Sequence, residues 1–354
     1  MKILITGICG FTGYTLARAL QEFSWVSSLS GVDNLSRPGS QVHYDLLPEQ
    51  GIPVDREDIR NKSYFDALDA VDWVIDAAAQ PSVLAGVDGK TDSFELVQHN
   101  LLGTIHLLEY CKRVGAGFTL LSTSRVYSLA ALETIPVLER GGAFTPEAAS
   151  FPRGFSEQGI AENFSTQAPV SLYGATKLAS EAMALEYGEA FQFPVWINRC
   201  GVLAGAHQFG HPTQGIFSFW LHSWLQEKPL KYIGFSGSGY QVRDCLHPRD
   251  LLPVLEKQIR DASEDAPKII NLSGGISNAM SLKQLSQWCS DRWKPGEVEA
   301  EPRPRKYDLP WMVLDSSLAK EYWGFQPEYS LNQILEEIAD FAERHPEWLS
   351  LSNP

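Results

Sequence analysis

Gly7-Ile8-Cys9-Gly10-Phe11-Thr12-Gly13, entered from the short apolar run Lys2–Thr6, decides the fold. A strand that runs straight into spaced glycines, and then into a helical period through Phe11, Leu16, Leu20 and Phe23, opens a strand–turn–helix unit. In such a unit Gly7 permits the tight turn. Gly10 lets the backbone approach a dinucleotide pyrophosphate, and Gly13 lets helix pack close to strand. The unpaired N–H groups at the helix start then face the phosphates. Asp33 ends the next predicted strand, twenty residues past Gly13, where a carboxylate accepts ribose hydroxyls. Asp33 would repel a 2′-phosphate, which favours NAD over NADP. Arg37 could reach a 2′-phosphate there, although it reads rather as a solvated loop arginine.

Outward from this stretch, strands and helices alternate. Strands are predicted at Lys2–Thr6, Val26–Asp33, Val71–Ala77, Phe118–Ser122, Val195–Arg199 and Lys268–Leu272. Helices are predicted at Phe11–Phe23, Phe94–Val114 and Leu172–Phe191. This alternation implies an α/β fold, a Rossmann-type doubly wound parallel sheet covered on both faces. Ligands bind such sheets at the carboxyl ends of the strands, where strand order reverses. After about Gly201 the loops lengthen, and Trp and Pro become frequent. Residues 1–190 are expected to form the NAD-binding domain, with segments near 195–203 and 243–256 returning to it. Residues 204–354 are expected to form mainly a smaller, interleaved substrate lobe. The amphipathic helix Leu331–Arg344 is expected to pack on that lobe.

Composition narrows the class. The 354 residues are 44% hydrophobic and 20% charged, ordinary for a soluble globular enzyme. The formal net charge of -14 disfavours nucleic acid or an anionic membrane as partner. No stretch of about twenty residues is continuously apolar, and the early glycines interrupt what would otherwise resemble a signal peptide. Cys9, Cys111, Cys200, Cys245 and Cys289 are odd in number and scattered, which reads as reduced thiols in a cytoplasmic protein. His207 and His211 flank a short loop and read as solvated residues; no metal is expected.

A second constellation carries the chemistry. Tyr173 and Lys177 stand four apart, on one face of a predicted helix. A tyrosine phenolate can take the proton of a sugar-like hydroxyl, but free tyrosine has a pKa near ~10. A neighbouring ammonium favours the phenolate. The strand end Leu121-Ser122-Thr123-Ser124 supplies hydroxyls that can bridge to the same substrate oxygen. Together with the glycine turn, these residues predict redox chemistry at a carbinol carbon.

At this point the chain resembles the extended short-chain dehydrogenase/reductases that act on nucleotide sugars. The likeness covers nearly its whole length. It rests on Thr6–Gly13, Asp58-Ile59-Arg60-Asn61, Ala77-Ala78-Ala79-Gln80, Asn100-Leu101-Leu102-Gly103-Thr104, Ser122-Thr123-Ser124-Arg125-Val126-Tyr127 and the Tyr173/Lys177 pair. Within that family it is similar to the CDP-paratose 2-epimerases, or tyvelose epimerases. Asp33-Asn34-Leu35-Ser36-Arg37, Gln241-Val242-Arg243-Asp244-Cys245-Leu246-His247 and Ile270-Asn271-Leu272-Ser273-Gly274-Gly275 carry this narrower match.

The resemblance implies an NAD site made from Gly7, Gly10, Phe11, Gly13, Asp33, Asn34, Arg37, Asp58, Ile59, Ala77, Ala79, Gln80 and Asn100, with Tyr173 and Lys177. It implies Thr123, Tyr173 and Lys177 as the catalytic hydroxyl, base and lysine. For a nucleotide-diphosphate sugar, a CDP-sugar above others, it implies Gln80, Ser122, Arg199, Gln208, Gln214, Arg243, Arg305 and Asp308. The activity implied is NAD-dependent epimerisation at C2 through a transient keto-sugar. The same constellation would serve C4. A net dehydrogenase or reductase, and a noncatalytic NAD-binding protein, are the other readings.

Two departures from family patterns matter. Sugar-nucleotide 4,6-dehydratases carry Asp-Glu after the catalytic Thr, whereas Ser124-Arg125 stand here, so dehydration is not expected. Cys200-Gly201 and the loop Ala206–His211 are individual to this chain and bear on the sugar. A homodimer built on helices Phe94–Val114 and Leu172–Phe191 is also implied by the resemblance.

Overall fold

The computed structural model describes residues 1–352 except 88, 90, 91 and 262–264. Seven parallel strands form its central sheet: β1 (Lys2–Thr6), β2 (Ser28–Asp33), β3 (Val54–Arg56), β4 (Trp73–Asp76), β5 (Gly117–Thr123), β6 (Val195–Cys200) and β7 (Ile269–Leu272). Their order is β7-β6-β5-β4-β1-β2-β3. The chain therefore builds outward from β1 in one direction and from β4 in the other, and the β1/β4 junction is the point of reversal.

The strands are apolar almost throughout because both sheet faces are covered. Alternate residues of β1 divide between two cores. Ile3 and Ile5 pack with helix α1 (Phe11–Leu20) and the helix Leu252–Arg260, while Leu4 packs with Leu107, Leu108, Phe118 and Leu120. The helix predicted over Phe11–Phe23 stops at Leu20. The chain turns there, and Phe23 reaches the same core from the turn, which kept the apolar period running past the helix end. The second strand likewise begins at Ser28 rather than Val26.

The helix expected over Phe94–Val114 has a more informative irregularity. Ser93–Val97 and Gly103–Val114 are α-helical, but Gln98–Leu102 between them is a π turn. Wider turns of this kind cluster at functional sites. Asn100 lies within it. Its side-chain amide holds the Gln80 backbone at both ends (2.8 and 3.2 Å) and donates to Thr176 Oγ1 at 3.1 Å. The Asn100 carbonyl accepts the hydroxyls of Thr104 and Ser180, both at 2.9 Å. The π turn thus ties the loop after β4 to helix α2 (Leu172–Phe191).

A smaller lobe is built over the carboxyl ends of the strands. Val242–Asp244 forms its three-stranded sheet with Ala279–Ser281 and Trp311–Met312, so Arg243 and Asp244 stand in this lobe. The following helical run from Pro248 to Arg260 packs back on α1. Ala319 and Trp323, from the helix Ser317–Trp323, also enter the core of the main sheet. Helix Leu331–Arg344 packs Ile334, Leu335 and Ile338 against Trp220, Trp224 and Tyr232 of the lobe.

His43, His207 and His222 lie around Phe341 and Trp348, where the two parts of the chain meet. His207 is therefore packed among rings rather than solvated. Burial lowers His43 to about 3, and His207 and His222 to about 4. These imidazoles stay neutral in the fold while the unfolded chain protonates near its ordinary value of about 6.5. Their contribution to stability is present above about pH 6.5 and is lost as pH falls toward 4. His222 is 2% exposed, and neither ring nitrogen has a hydrogen-bond partner among the described residues. Replacing His222 with Phe is expected to raise unfolding free energy at pH 5 by about 2 kcal/mol relative to the parent, and by less at pH 8. Urea unfolding at the two pH values checks this; an equal gain at both would show that the imidazole's proton is irrelevant.

Candidate active site

Gly7 leaves β1 at φ +63, and its amide donates to Val32 O at 2.9 Å. A Cβ there would stand 2.8 Å from Ala78 Cα. A Cβ on Gly13 would stand 2.4 Å from Gly7 O, so the helix seats on the turn only because that atom is missing. Gly10 is the cap of α1. The result is a shallow cradle at the N-terminus of a ten-residue helix, open to the cleft. Gly7→Ala is expected to empty this cradle. The left-handed conformation costs about 1–2 kcal/mol for a residue with a Cβ, and the contact with Ala78 adds to it. The purified variant should release less than a tenth of the parent's NAD on denaturation, and a parental yield would contradict this account.

Asp33 closes the cradle at the end of β2. Its carboxylate accepts the Cys9 and Leu35 amides at 3.0 and 2.8 Å. Burial pushes its pKa up, and backbone N–H groups of Leu35, Cys9 and Gly10 pull it down. Asn34 donates to Asp58 at 2.9 Å, and Arg60 pairs with Asp58 at 2.8 Å. Burial raises Asp58, but the Arg60 and Asn34 hydrogen bonds outweigh it and hold the carboxyl well below its ordinary range. Asp58 therefore supports the wall from behind, while Asn34 and Ile59 line it.

Arg37 corrects the expectation of a solvated arginine. Its guanidinium crosses to the other lobe, donating to Gln214 Oε1 and Phe209 O, both at 2.8 Å. Burial lowers its pKa. Long-range contacts of this kind leave no local trace in sequence.

Phe11, Ala77 and Ala79 line the same cleft, which encloses about 450 Å³. Gln80 and Asn100 do not line it. They hold each other through the backbone bonds described above and fix the loop from below.

Thr123 ends β5 and faces Tyr173 in the first turn of α2. Ser171 caps that helix by accepting the Gly174 amide at 3.1 Å. The Tyr173 phenol lines the cleft together with the Thr123 hydroxyl. Burial raises its pKa, and Thr123 and the Arg125 charge lower it. Lys177 lies one turn further along α2, off the lining surface and only 2% exposed. Burial lowers its pKa, and the carboxylates of Asp76 and Glu181 raise it.

Ser122 and Arg199 are corrected as cleft residues. Both turn away from it toward Glu181. Ser122 donates to Glu181 at 2.5 Å, and Arg199 Nη2 pairs with Glu181 at 2.7 Å, in a fully buried arrangement. In parallel strands, alternate residues face opposite sides. Thr123 faces the cleft, so its predecessor does not, and Arg199 is in register with Ser122.

Arg243, Arg305 and Asp308 line the same cleft, as do Gln208 and Gln214. Arg243 donates to Asp308 at 2.6 Å and to the Val242 and Leu309 carbonyls at 2.7 and 2.9 Å. Burial lowers Arg243, while Asp308 raises it. Gln208 Oε1, Gln214 Nε2 and Gln241 Oε1 are enclosed without hydrogen-bond partners among the described residues. Unpaired buried amides in a cleft are the groups a polar ligand would satisfy. Gln241 and Arg125 were missed as lining residues, although both lie inside quoted motifs. Among the described residues no cluster of His, Cys, Asp and Glu can hold a metal, and no helix is long and apolar enough to cross a membrane.

Comparison with known proteins follows this geometry. The pattern of the NAD dependent epimerase/dehydratase family matches residues 3–273. CDP-paratose 2-epimerase of Salmonella typhi is 30% identical over 305 residues, covering 82% of this chain and 84% of that protein. UDP-glucuronate 4-epimerase of Thermodesulfobacterium geofontis is 25% identical, covering 97% of each. The crystal structure of UDP-glucuronic acid 4-epimerase from Bacillus cereus, in complex with UDP-glucuronic acid and NAD, superposes with a TM-score of 0.78 at 26% identity. That superposition covers 97% of this chain and 99% of that one. The chain belongs to the NAD dependent epimerase/dehydratase family, as an enzyme with NAD as its cofactor.

Proposed function

We propose that the protein epimerises a nucleotide-diphosphate sugar, preferentially a CDP-sugar, at C2 through a transient keto-sugar. One observation carries this reading. Thr123 and Tyr173 stand in a cleft that is lined as well by the glycine cradle and by Arg243, Arg305 and Asp308. Guanidinium forks suit a diphosphate. When bound, NAD supplies reversible hydride acceptance, so that oxidation and return leave no net redox change.

In this reading Tyr173 takes the proton of the sugar hydroxyl. The Thr123 hydroxyl donates to the phenolate and steadies it. Lys177, one turn further along α2, would supply positive charge; burial lowers its pKa, and Asp76 and Glu181 act against that. Ser124-Arg125, which follow Thr123, offer no acid to expel a sugar hydroxyl as water, which supports epimerisation over dehydration. C2 and cytidine rest on the likeness to the Salmonella typhi enzyme. The near-complete coverage of the UDP-glucuronate 4-epimerase supports a second reading, epimerisation of a UDP-sugar at C4.

The test is product analysis by NMR after incubating the NAD-containing protein with CDP- and UDP-sugars in deuterated and ordinary water. A C2 epimer of a CDP-sugar, with no solvent deuterium, is expected. A C4 epimer would move the reading to the second one. Stoichiometric consumption of added NAD or NADH would replace it with a dehydrogenase or reductase.

The assembly is proposed to be a cytoplasmic homodimer. Phe94 is 65% exposed, and Val97, Leu102, Leu172 and Phe191 are exposed beside it in sequence on the same two helical runs. A second copy covering these side chains would remove them from water. Light scattering after size exclusion should give twice the chain mass, and a monomer would end this part of the proposal.

A further inference from the structure

Arg37 ties the loop after β2 to a loop of the smaller lobe. Its Nη1 donates to Gln214 Oε1 and its Nη2 to Phe209 O, both at 2.8 Å. Each end of this strap is held by its own loop. The Arg37 carbonyl accepts the Ser40 amide at 3.1 Å and the Ser40 hydroxyl at 2.7 Å, at the start of the helix Ser40–Glu49. On the lobe side, His211 and Gln214 exchange backbone hydrogen bonds at 2.8 and 2.9 Å. The Phe209 ring is buried and stacks on Trp348, with centroids 4.8 Å apart. Gly39 closes against that ring at φ +89, and a Cβ there would stand 2.5 Å from Phe209 Cδ1. The two loops thus meet through a guanidinium and a ring, at a spacing that depends on a missing Cβ.

The strap stands where the cofactor is expected. Asp33, Asn34, Ser36 and Arg37 line the cleft from one loop, and Gln208 and Gln214 line it from the other. Gln214 Nε2 is enclosed without a hydrogen-bond partner among the described residues, so the bond from Arg37 is what orients this side-chain amide. Arg37 Nη1 and Nη2 are both engaged by neutral oxygens of the lobe, rather than set out as a fork for a phosphate. We infer that Arg37 is a positioning residue that retains NAD by strapping the β2 loop to the lobe, acting through Gln214 and Phe209 and not on the cofactor itself. Where a hydride is lent and returned, as proposed above, a cofactor that escaped between the two transfers would leave the sugar oxidised.

The test follows the cofactor alone. The NAD-containing protein is loaded with radiolabelled NAD and chased with excess unlabelled NAD, and the label left on the protein is counted over time. Loss of a hydrogen bond from a charged donor should speed release of the label at least about tenfold in Arg37→Met, and at least about threefold in Gln214→Met, where the Phe209 carbonyl still holds Nη2. Adding Gln214→Met to Arg37→Met should speed it no further, because the two residues act as one unit. Gln214→Glu keeps an oxygen for Nη1 and should release label no faster than the parent. Circular dichroism matching the parent certifies each fold. Should Arg37→Met fail to fold, the opposite behaviour of the two Gln214 variants decides.

A parental rate in folded Arg37→Met overturns the inference. So does a parental rate in Gln214→Met beside a fast Arg37→Met, which would make Arg37 a direct ligand of NAD. A double variant faster than Arg37→Met, or Gln214→Glu as fast as Gln214→Met, also overturns it, since Gln214 would then touch the cofactor itself. NAD is the ligand throughout, so the outcome is independent of the sugar and the carbon assigned above. If no epimerase activity is found but the rates move as stated, the strap stands while the activity reading falls.

Discussion

Tyr173→Phe is expected to lower the epimerisation rate constant by about 10³–10⁴, the upper part of the range for a positioned acid–base group. NAD content should stay at the parental level. The substitution removes a single oxygen. Tyr173 is buried against the cleft wall, and its ring packing is unchanged by the loss of the hydroxyl. What disappears is the hydroxyl proposed to carry a proton to and from the sugar oxygen. A loss of 10³ corresponds to about 4 kcal/mol of barrier. Turnover with the sugar identified under the proposed function, together with NAD released on denaturation, checks both halves. Activity within tenfold of the parent would remove Tyr173 from the chemistry. Loss of NAD along with activity would make its role structural.

The second large effect concerns stability. Arg199→Met is expected to destabilise the fold by about 3–5 kcal/mol, the cost of leaving one member of a buried ion pair alone. Arg199 donates through Nε and Nη2 to Glu181, and through Nη1 to Tyr127 Oη at 3.3 Å. Tyr127 in turn donates to Asn271 at 2.6 Å. Without Arg199, the Glu181 carboxylate keeps the Ser122 hydroxyl and the distant Lys177 as its favourable partners. The double variant Arg199→Met/Glu181→Met should recover much of the loss, because apolar residues of similar volume satisfy the site. Denaturant unfolding of the three proteins, compared at one NAD concentration, measures this. Equal stability of Arg199→Met and the parent would show that the pair is not a structural element. The network spans β5, β6, β7 and α2, so its loss also loosens the strand end that presents Thr123.

Much of the site was legible because its residues are tied to local geometry. Glycines at 7, 10 and 13 between a strand and a helix have few alternative uses, and Tyr173 and Lys177 share a helical face by spacing alone. Boundaries were less legible. Phe23 continued the apolar period of α1 from outside the helix. The π turn at Gln98–Leu102 left no mark, because its hydrophobic pattern matches that of a continuous helix. Arg199 and Arg243 both look like anion ligands in sequence. Arg199 meets a carboxylate inside the sheet, whereas Arg243 meets Asp308 at the cleft. Only the facing of β6 and the course of a distant loop separate the two cases.

The sequence by itself determined the alternating strand–helix order, the glycine turn with Asp33, and the placement of Tyr173 and Lys177 one turn apart on one helix. Each follows from contacts within one turn or one strand–helix unit, where backbone periodicity dictates which side chains meet. The tertiary structure decided what those side chains face. It turned Ser122 and Arg199 inward to Glu181, took Arg37 across the cleft to Gln214, and enclosed Lys177 near Asp76 and Glu181. These contacts join residues tens to hundreds of positions apart. Their energies depend on burial and on the balance of neighbouring charges, which exist only once the chain has closed on itself.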